Sequence, residues 1–422
     1  MVQWRRLGAA AAFGSALLAM AACSGDGGRE SATPAIPGVD LEGKVLRIGA
    51  LNDESGPAAV VGIPYAIGKR LLAKHVNDGD SGLLPAGWTL ELVERDHGYN
   101  PQRSVQLFNE IRDEVLFIGT SFGTPNTLPL RPLLQRHGLV AFPASLSSKM
   151  AEFRYTPPGG PSYQVEAMRA FDWAVEHAGG KDQIRPGILY QHDDYGKDGL
   201  QAWRQAAEHH GVEIVAEQAN APGQADFTAA INALKKAGAT HVLLTVLPSA
   251  TGPALGTAAQ LDYAPIWIGN TPSWIDRFFD PEVIPPSVFD NYYWVMGSPY
   301  WGEDTPFARE FEALYEQYGR DMAPPDFYMM TSYLQGRIAL DVFSRALAAG
   351  DPSREGFMQA LTTLEDYDAG GAVPFKLDFT DMPYVVGVEA RVLKPLMDQA
   401  SWREVAPFAQ PQALQATPNA QP

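Results

Sequence analysis

Nucleophilic catalysis needs a serine or cysteine held within reach of a histidine, on a turn that exposes it. The single cysteine of this chain, Cys23, lies where an apolar leader meets a polar stretch. His209-His210 and His192-Asp193-Asp194 are the clusters that hint at a metal. Adjacent histidines on a helix point roughly 100° apart, so they read as a solvated helix face rather than a chelate. Neither a Walker loop nor a G-x-G-x-x-G is present, which argues against nucleotide chemistry. With 49 Asp+Glu against 32 Lys+Arg, paired carboxylates are too common to single out a site. The reading is of a protein that is not an enzyme and uses no cofactor and no metal.

Other polar residues suit binding rather than turnover. In Asp53-Glu54-Ser55-Gly56-Pro57 a strand end meets a helix start, leaving backbone N–H groups and a hydroxyl free. Gly123-Thr124-Pro125-Asn126-Thr127 repeats the pattern, with Pro125 suited to a first helical turn and Thr124 able to cap. Asp193-Asp194-Tyr195-Gly196 repeats it again. Helix capping accounts for each segment taken alone. Their common placement at strand ends predicts one crevice lined by all three.

The elements that would position them alternate. Strands are predicted at VLRIGAL (45–51), TLELVERD (89–96), VLFIGT (115–120), LVAFPA (139–144), PGILYQ (186–191), VEIVAEQ (212–218), HVLLTV (241–246), APIWIGN (264–270) and YYWVMG (292–297). Amphipathic helical segments lie between them. Nearly all-apolar strands joined by helices require parallel sheets covered on both faces, a doubly wound α/β architecture. The Gly/Pro-rich tract RYTPPGGPSY (154–163) divides two such sheets, and the elements after residue 297 are too few for a third. A formal net charge of −17 makes nucleic acid an improbable partner.

Read in order, IGALNDESGPAAVVGIPYAIGKRLLAKHVN, VERDHGYNPQRSVQLFNEI, VLFIGTSFGTPNTLPLRPLL, VAFPASLSS, ILYQHDDYGKDGL, DFTAAINALKKAGATHVLLTV and WIGN resemble the landmarks of type I periplasmic binding proteins. The likeness is to the leucine/isoleucine/valine-binding branch that serves ABC importers, and runs from about 45 to 379. It implies two lobes joined by three hinge crossings, near 157–163, 297–301 and 379–385. The N-terminal lobe would be 44–160 plus 299–379, and the C-terminal lobe 161–298 plus 380–408. A monomer is expected, with a small-molecule solute and ABC permease subunits as partners.

The resemblance also implies a ligand site. The family's first-lobe hydroxyls fall near Gly123, with Thr124 beside it, and at Ala144 to Leu146, where Ser145 is available. Tyr195 matches a second-lobe tyrosine. The acid that holds an amino-acid ammonium falls at Thr271, so that acid is missing; Asp193, Asp194 or Asp276 would have to substitute. Ser55, Phe122, Leu146, Leu247, Trp274, Trp301, Phe327 and Tyr328 complete an expected pocket rich in apolar and aromatic groups. The GTPN segment is similar to branches associated with aromatic acids and other non-amino-acid solutes. The expected ligand is therefore an aromatic or other non-amino-acid compound. A ligand sensor or envelope interaction lipoprotein on the same fold is the alternative.

Arg5 and Arg6 precede an apolar run ending in Leu18-Ala19-Met20-Ala21-Ala22-Cys23, which resembles a bacterial lipobox. Residues 1–22 are thus expected to be a signal peptide, with Cys23 lipidated, 23–43 a leash and 409–422 a disordered tail. The protein would be periplasmic or otherwise extracytoplasmic, joined to the membrane through its lipid.

Overall fold

The structure, a computed structural model, describes residues 35–79 and 81–415. The predicted leader and Cys23 lie outside the described residues. The first sheet is built around β2 (Val45–Asn52), whose last five residues are all buried because helices cover both faces. β3 (Thr89–Asp96) runs parallel to it from Val45↔Thr89 to Asn52↔Asp96. On the other side lie β4 (Ile118–Phe122) and β5 (Ala141–Ala144), also parallel. A short β1 (Val39–Asp40) pairs antiparallel with Leu46 and Val45.

This last pairing corrects the expected leash, which cannot extend to residue 43. Gly38 sits at φ +78°, and a Cβ there would come within 2.0 Å of the Leu116 amide nitrogen, so the chain is already packed on the lobe at that point.

The second sheet holds β6 (Pro186–Gln191), β7 (Ala216–Asn220), β8 (His241–Thr245), β9 (Ile266–Gly269) and β10 (Tyr292–Met296), all parallel, in the order β10-β9-β8-β6-β7. β11 (Ala390–Leu396) and β12 (Ser401–Ala409) extend it antiparallel beyond β10.

The helices run in chain order. In the first half they are α1 (Ala59–Asn77), α2 (Pro101–Ile111), α3 (Thr124–Thr127), α4 (Arg131–His137), α5 (Ser148–Ala151) and α6 (Tyr163–Ala178). α7 (Asp194–His210), α8 (Thr228–Ala237) and α9 (Pro248–Gln260) follow β6, β7 and β8. The later ones are α10 (Pro306–Tyr318), α11 (Phe327–Ala348), α12 (Arg354–Leu361) and α13 (Gln412–Gln415).

The late elements are shared between the lobes: α10 and α11 pack on α1 of the first, while β11 and β12 join the second. α11 approaches α1 closely enough that a Cβ on Gly68 would stand 2.2 Å from the Met329 carbonyl oxygen. VPFKLDF forms only isolated bridges, Tyr367↔Leu377 and Asp378↔Val385. The strands expected at 115–120 and 212–218 are displaced toward their C-termini, to β4 and β7. The expected disordered tail is corrected over 409–415, and residues 416–422 lie outside the described residues. β12 reaches Ala409, α13 buries Leu414, and the Gln412 N–H donates to Asp172 Oδ2 at 2.8 Å. Among the described residues no helix is long and apolar enough to cross a membrane.

Candidate ligand-binding cleft

The loops following β4 and β5 of the first sheet face those following β6, β8 and β9 of the second, the place where parallel sheets present ligand sites. Between them lies a cavity with about 80 Å³ open to the centre of a water molecule. That exceeds the ~10–15 Å³ needed for one water, so the gap is a chamber rather than a packing defect.

Eleven predicted site residues meet there: Phe122, Gly123, Thr124, Ala144, Ser145, Leu146, Tyr195, Leu247, Thr271, Phe327 and Tyr328. Thr124 Oγ1 and Ser145 Oγ are hydrogen-bonded at 2.7 Å, both buried. Gly123 has φ +87°, and a Cβ on it would lie 2.9 Å from Tyr99 Cε2, so glycine lets the Tyr99 ring rest on the backbone. Tyr195 stands edge-on to Tyr163, ring centres 4.9 Å apart. Its hydroxyl donates to Asn270 Oδ1 at 2.8 Å. Tyr195 therefore offers the cavity its ring more than its O–H.

Ser55 and Trp301 are corrections. Ser55 is exposed and its hydroxyl bonds the Asp96 carboxylate, because Asp53 takes over the capping of this loop, accepting from the Gly56 and Ala58 N–H groups at 2.7 and 3.0 Å. Trp301 packs edge-on against Phe311 and Tyr315 of α10. Trp274 also lies elsewhere, fully buried in an aromatic cluster with Phe289, Tyr292 and Trp402.

Among the described residues lining the cavity there is no Asp, Glu, Lys, Arg or His. None of the three acids considered as substitutes lines it. Asp193 caps α7 through the Gly196 N–H at 3.1 Å and accepts from the Tyr99 hydroxyl at 3.2 Å. Asp194 pairs with Lys149. Asp276 accepts the Phe327 N–H at 2.7 Å. Burial pushes its carboxyl up to about 6.

A different acid stands behind Thr271. Glu166, on α6 and fully buried, accepts the Thr271 N–H at 3.0 Å and bonds its hydroxyl. Desolvation raises this carboxyl to about 8, against the weaker opposing effect of those two bonds, so near neutral pH it is mostly the uncharged acid.

Sequence reasoning missed Tyr65, Tyr99, Tyr163 and Gln335, and the apolar wall of Val61, Leu334 and Ile338. Tyr65 donates to Gln335 Oε1 at 2.9 Å across the α1–α11 seam. Val61 and Tyr65, and likewise Phe327, Leu334 and Ile338, fall at helical spacings, but a stripe facing a cavity and one facing the core have the same periodicity. Tyr99 carried a sharper signal: HGYN places a non-glycine residue just before a helix, and its φ is +57°.

The lobes are bonded across the cleft. Asp198 on α7 accepts from the Ser148 N–H and hydroxyl at 2.9 and 2.7 Å. The Tyr328 hydroxyl, on α11, lies 2.9 Å from the Thr271 carbonyl and 3.0 Å from that of Trp274. The Ser249 hydroxyl donates to the Pro57 carbonyl at 3.1 Å. This is a closed arrangement of the two halves.

The chain is similar to several known proteins. One is an amino acid binding protein of Pseudomonas aeruginosa, 22% identical over 324 residues that cover 73% of this chain and 80% of that one. Among solved structures, a fatty acid ABC transporter substrate-binding protein from Thermomonospora curvata superposes with a TM-score of 0.82 at 22% identity, covering 90% of this chain and 95% of that one. A branched-chain amino acid ABC transporter protein from Thermus thermophilus with bound valine gives 0.78 at 20% identity, covering 89% and 99%. The family model described as periplasmic binding protein matches residues 45–381, and with that match over most of its length the chain belongs to the periplasmic binding protein family.

Proposed function

We propose that the protein is the solute-binding component of an ABC importer, and that its ligand is an organic molecule with an apolar or aromatic body and no free ammonium. The observation that carries this is the uncharged lining of the interlobe cavity. An ammonium enclosed there without a carboxylate would lose hydration worth several kcal/mol with nothing comparable in return. Hydroxyls at Thr124 and Ser145 and the rings of five tyrosines, by contrast, suit a ligand with one polar end and a hydrocarbon or aromatic remainder. The similar Thermomonospora protein is described as a fatty acid ABC transporter substrate-binding protein, in keeping with such a ligand, whereas the Thermus one holds valine. Ligand held by both lobes favours the closed state through its extra contacts, and the closed form docks on permease subunits. Export through residues 1–22 and acylation of Cys23 would hold the protein beside that permease outside the cytoplasm. Cys23→Ala is expected to release it from membranes.

The test is a thermal-shift panel of valine, leucine, benzoate, phenylacetate, octanoate, 4-methylpentanoate and 4-methylpentanamide. Stabilisation is expected from one or more of the compounds lacking an ammonium, since a ligand selective for the folded state raises its melting temperature. Stabilisation by valine or leucine alone overturns the reading.

A further inference from the structure

Lys69 is fully buried on α1, and its Nζ donates to the Ser332 carbonyl of α11 at 3.0 Å. It has no ion-pair partner among the described residues, although an ammonium has three donors to satisfy. The neighbouring charges are engaged elsewhere. Arg70 of α1 is paired with Glu54 and Glu94, Glu310 of α10 with Arg337 of α11, and Tyr333 of α11 is bonded to His75 of α1. A second polar group in the same seam, Ser332 Oγ, is buried without a hydrogen-bond partner.

Long side chains on a helix run back toward its N-terminus, and Lys69 follows Tyr65, a cavity-lining residue, by one turn. Its Nζ reaches the turn of α11 that carries Thr331 and Gln335, both on the cavity wall. Gly336 leaves room for it: a Cβ there would stand 3.1 Å from Nζ. Lys69 and Ser332 do not themselves line the cavity; Tyr65 and Gln335, which do, are hydrogen-bonded to each other in the same α1–α11 seam, and a ligand reaching the amine would have to part them, freeing the tyrosine hydroxyl as a second donor.

We propose that Lys69 is the charge that recognises the ligand, taking a carboxylate at the first-lobe end of the cavity with Tyr65 and Ser332 as neighbouring hydroxyl donors. This rests on the binding reading above and narrows the ligand to an organic monocarboxylate. Without an anion, burial brings the amine down to about 7. An arriving carboxylate favours the ammonium, so binding draws in a proton when the pH is above that value.

The test is isothermal titration of 4-methylpentanoate and 4-methylpentanamide, at pH 6.5 and 8.5, on the wild-type protein and Lys69→Met. The wild type is expected to prefer acid over amide by tenfold or more at pH 6.5 and by several-fold less at pH 8.5, with proton uptake at the higher pH. In Lys69→Met the ratio falls to about one at both. Equal binding of acid and amide by the wild type, which needs no variant to fold, overturns the role of Lys69 while leaving the cavity a binding site. A preference retained in Lys69→Met overturns it too. Failure of both compounds, and of benzoate, phenylacetate and octanoate, overturns the binding reading itself and this inference with it.

Discussion

The Glu166 carboxyl is bonded to both the backbone N–H and the hydroxyl of Thr271, so a buried acid stands directly behind the position where the resemblance to amino-acid-binding proteins places one in the cleft. The acid and the threonine satisfy each other. What faces the cavity is the outer side of that pair, uncharged, and this turns the missing acid from a property of one residue into a property of the wall.

The same pair makes stability depend on pH. The folded-state carboxyl of Glu166 titrates at about 8 and the unfolded one near 4.5, so between these values the folded protein keeps a proton that the unfolded chain releases, and stability declines as pH rises. Glu166→Gln fixes the neutral form and can keep both bonds. Its melting temperature should match the wild type near pH 4.5 and exceed it by several degrees at pH 8. An equal offset at both pH values would refute the assignment.

Lys69 gives the opposite dependence. Its folded-state value of about 7 lies below the unfolded 10.5, so its cost to stability is full below pH 7 and fades as pH rises toward 10.5. Lys69→Met should therefore raise the melting temperature more at pH 6 than at pH 9.5. Calorimetry at the two values checks the sign.

Thr124→Val removes one member of the 2.7 Å hydroxyl pair and leaves Ser145 buried with less to bond. A stability loss of about 1–3 kcal/mol is expected from denaturant unfolding, together with weaker binding of whichever carboxylate or amide stabilises the wild type. Ser145→Ala made in the Thr124→Val background should recover part of the stability, though not the binding.

Tyr328→Phe deletes the hydroxyl that joins α11 to the Thr271 and Trp274 carbonyls across the cleft. One hydrogen bond contributes roughly 0.5–1.5 kcal/mol net, so closure should weaken and ligand affinity drop about two- to tenfold. Small-angle scattering should record a larger radius of gyration for the ligand-free variant. Unchanged scattering and affinity would mean that this contact does not hold the lobes together.

The sheets were legible because most of their strands are apolar and bounded by turn residues; the loops at Gly123 and Tyr195 followed from their positions at strand ends, while Ser145 and Thr271 were implied by the family resemblance. Ser55 misled because Asp53, two residues earlier, had already taken the free N–H groups. β12 escaped notice since SWREVAPFA mixes exposed and buried positions, with register shifts against β11. The helix-borne wall was hidden for a further reason. Val61, Tyr65 and Leu334 look like core residues on a helical stripe, and only the crossing of α1 over α11, set by Gly68 and Gly336, turns that stripe toward a chamber. Glu166 and Thr271, 105 residues apart, could not be paired from spacing at all.

A cleft that selects against an ammonium must tell leucine from 4-methylpentanoate, which differ by that group alone. Isothermal titration of the two at pH 6.5 tests it most directly. Measurable binding of 4-methylpentanoate and at least tenfold weaker, or no, binding of leucine is expected; leucine binding as tightly as its deaminated counterpart, or more tightly, would contradict selection against the ammonium.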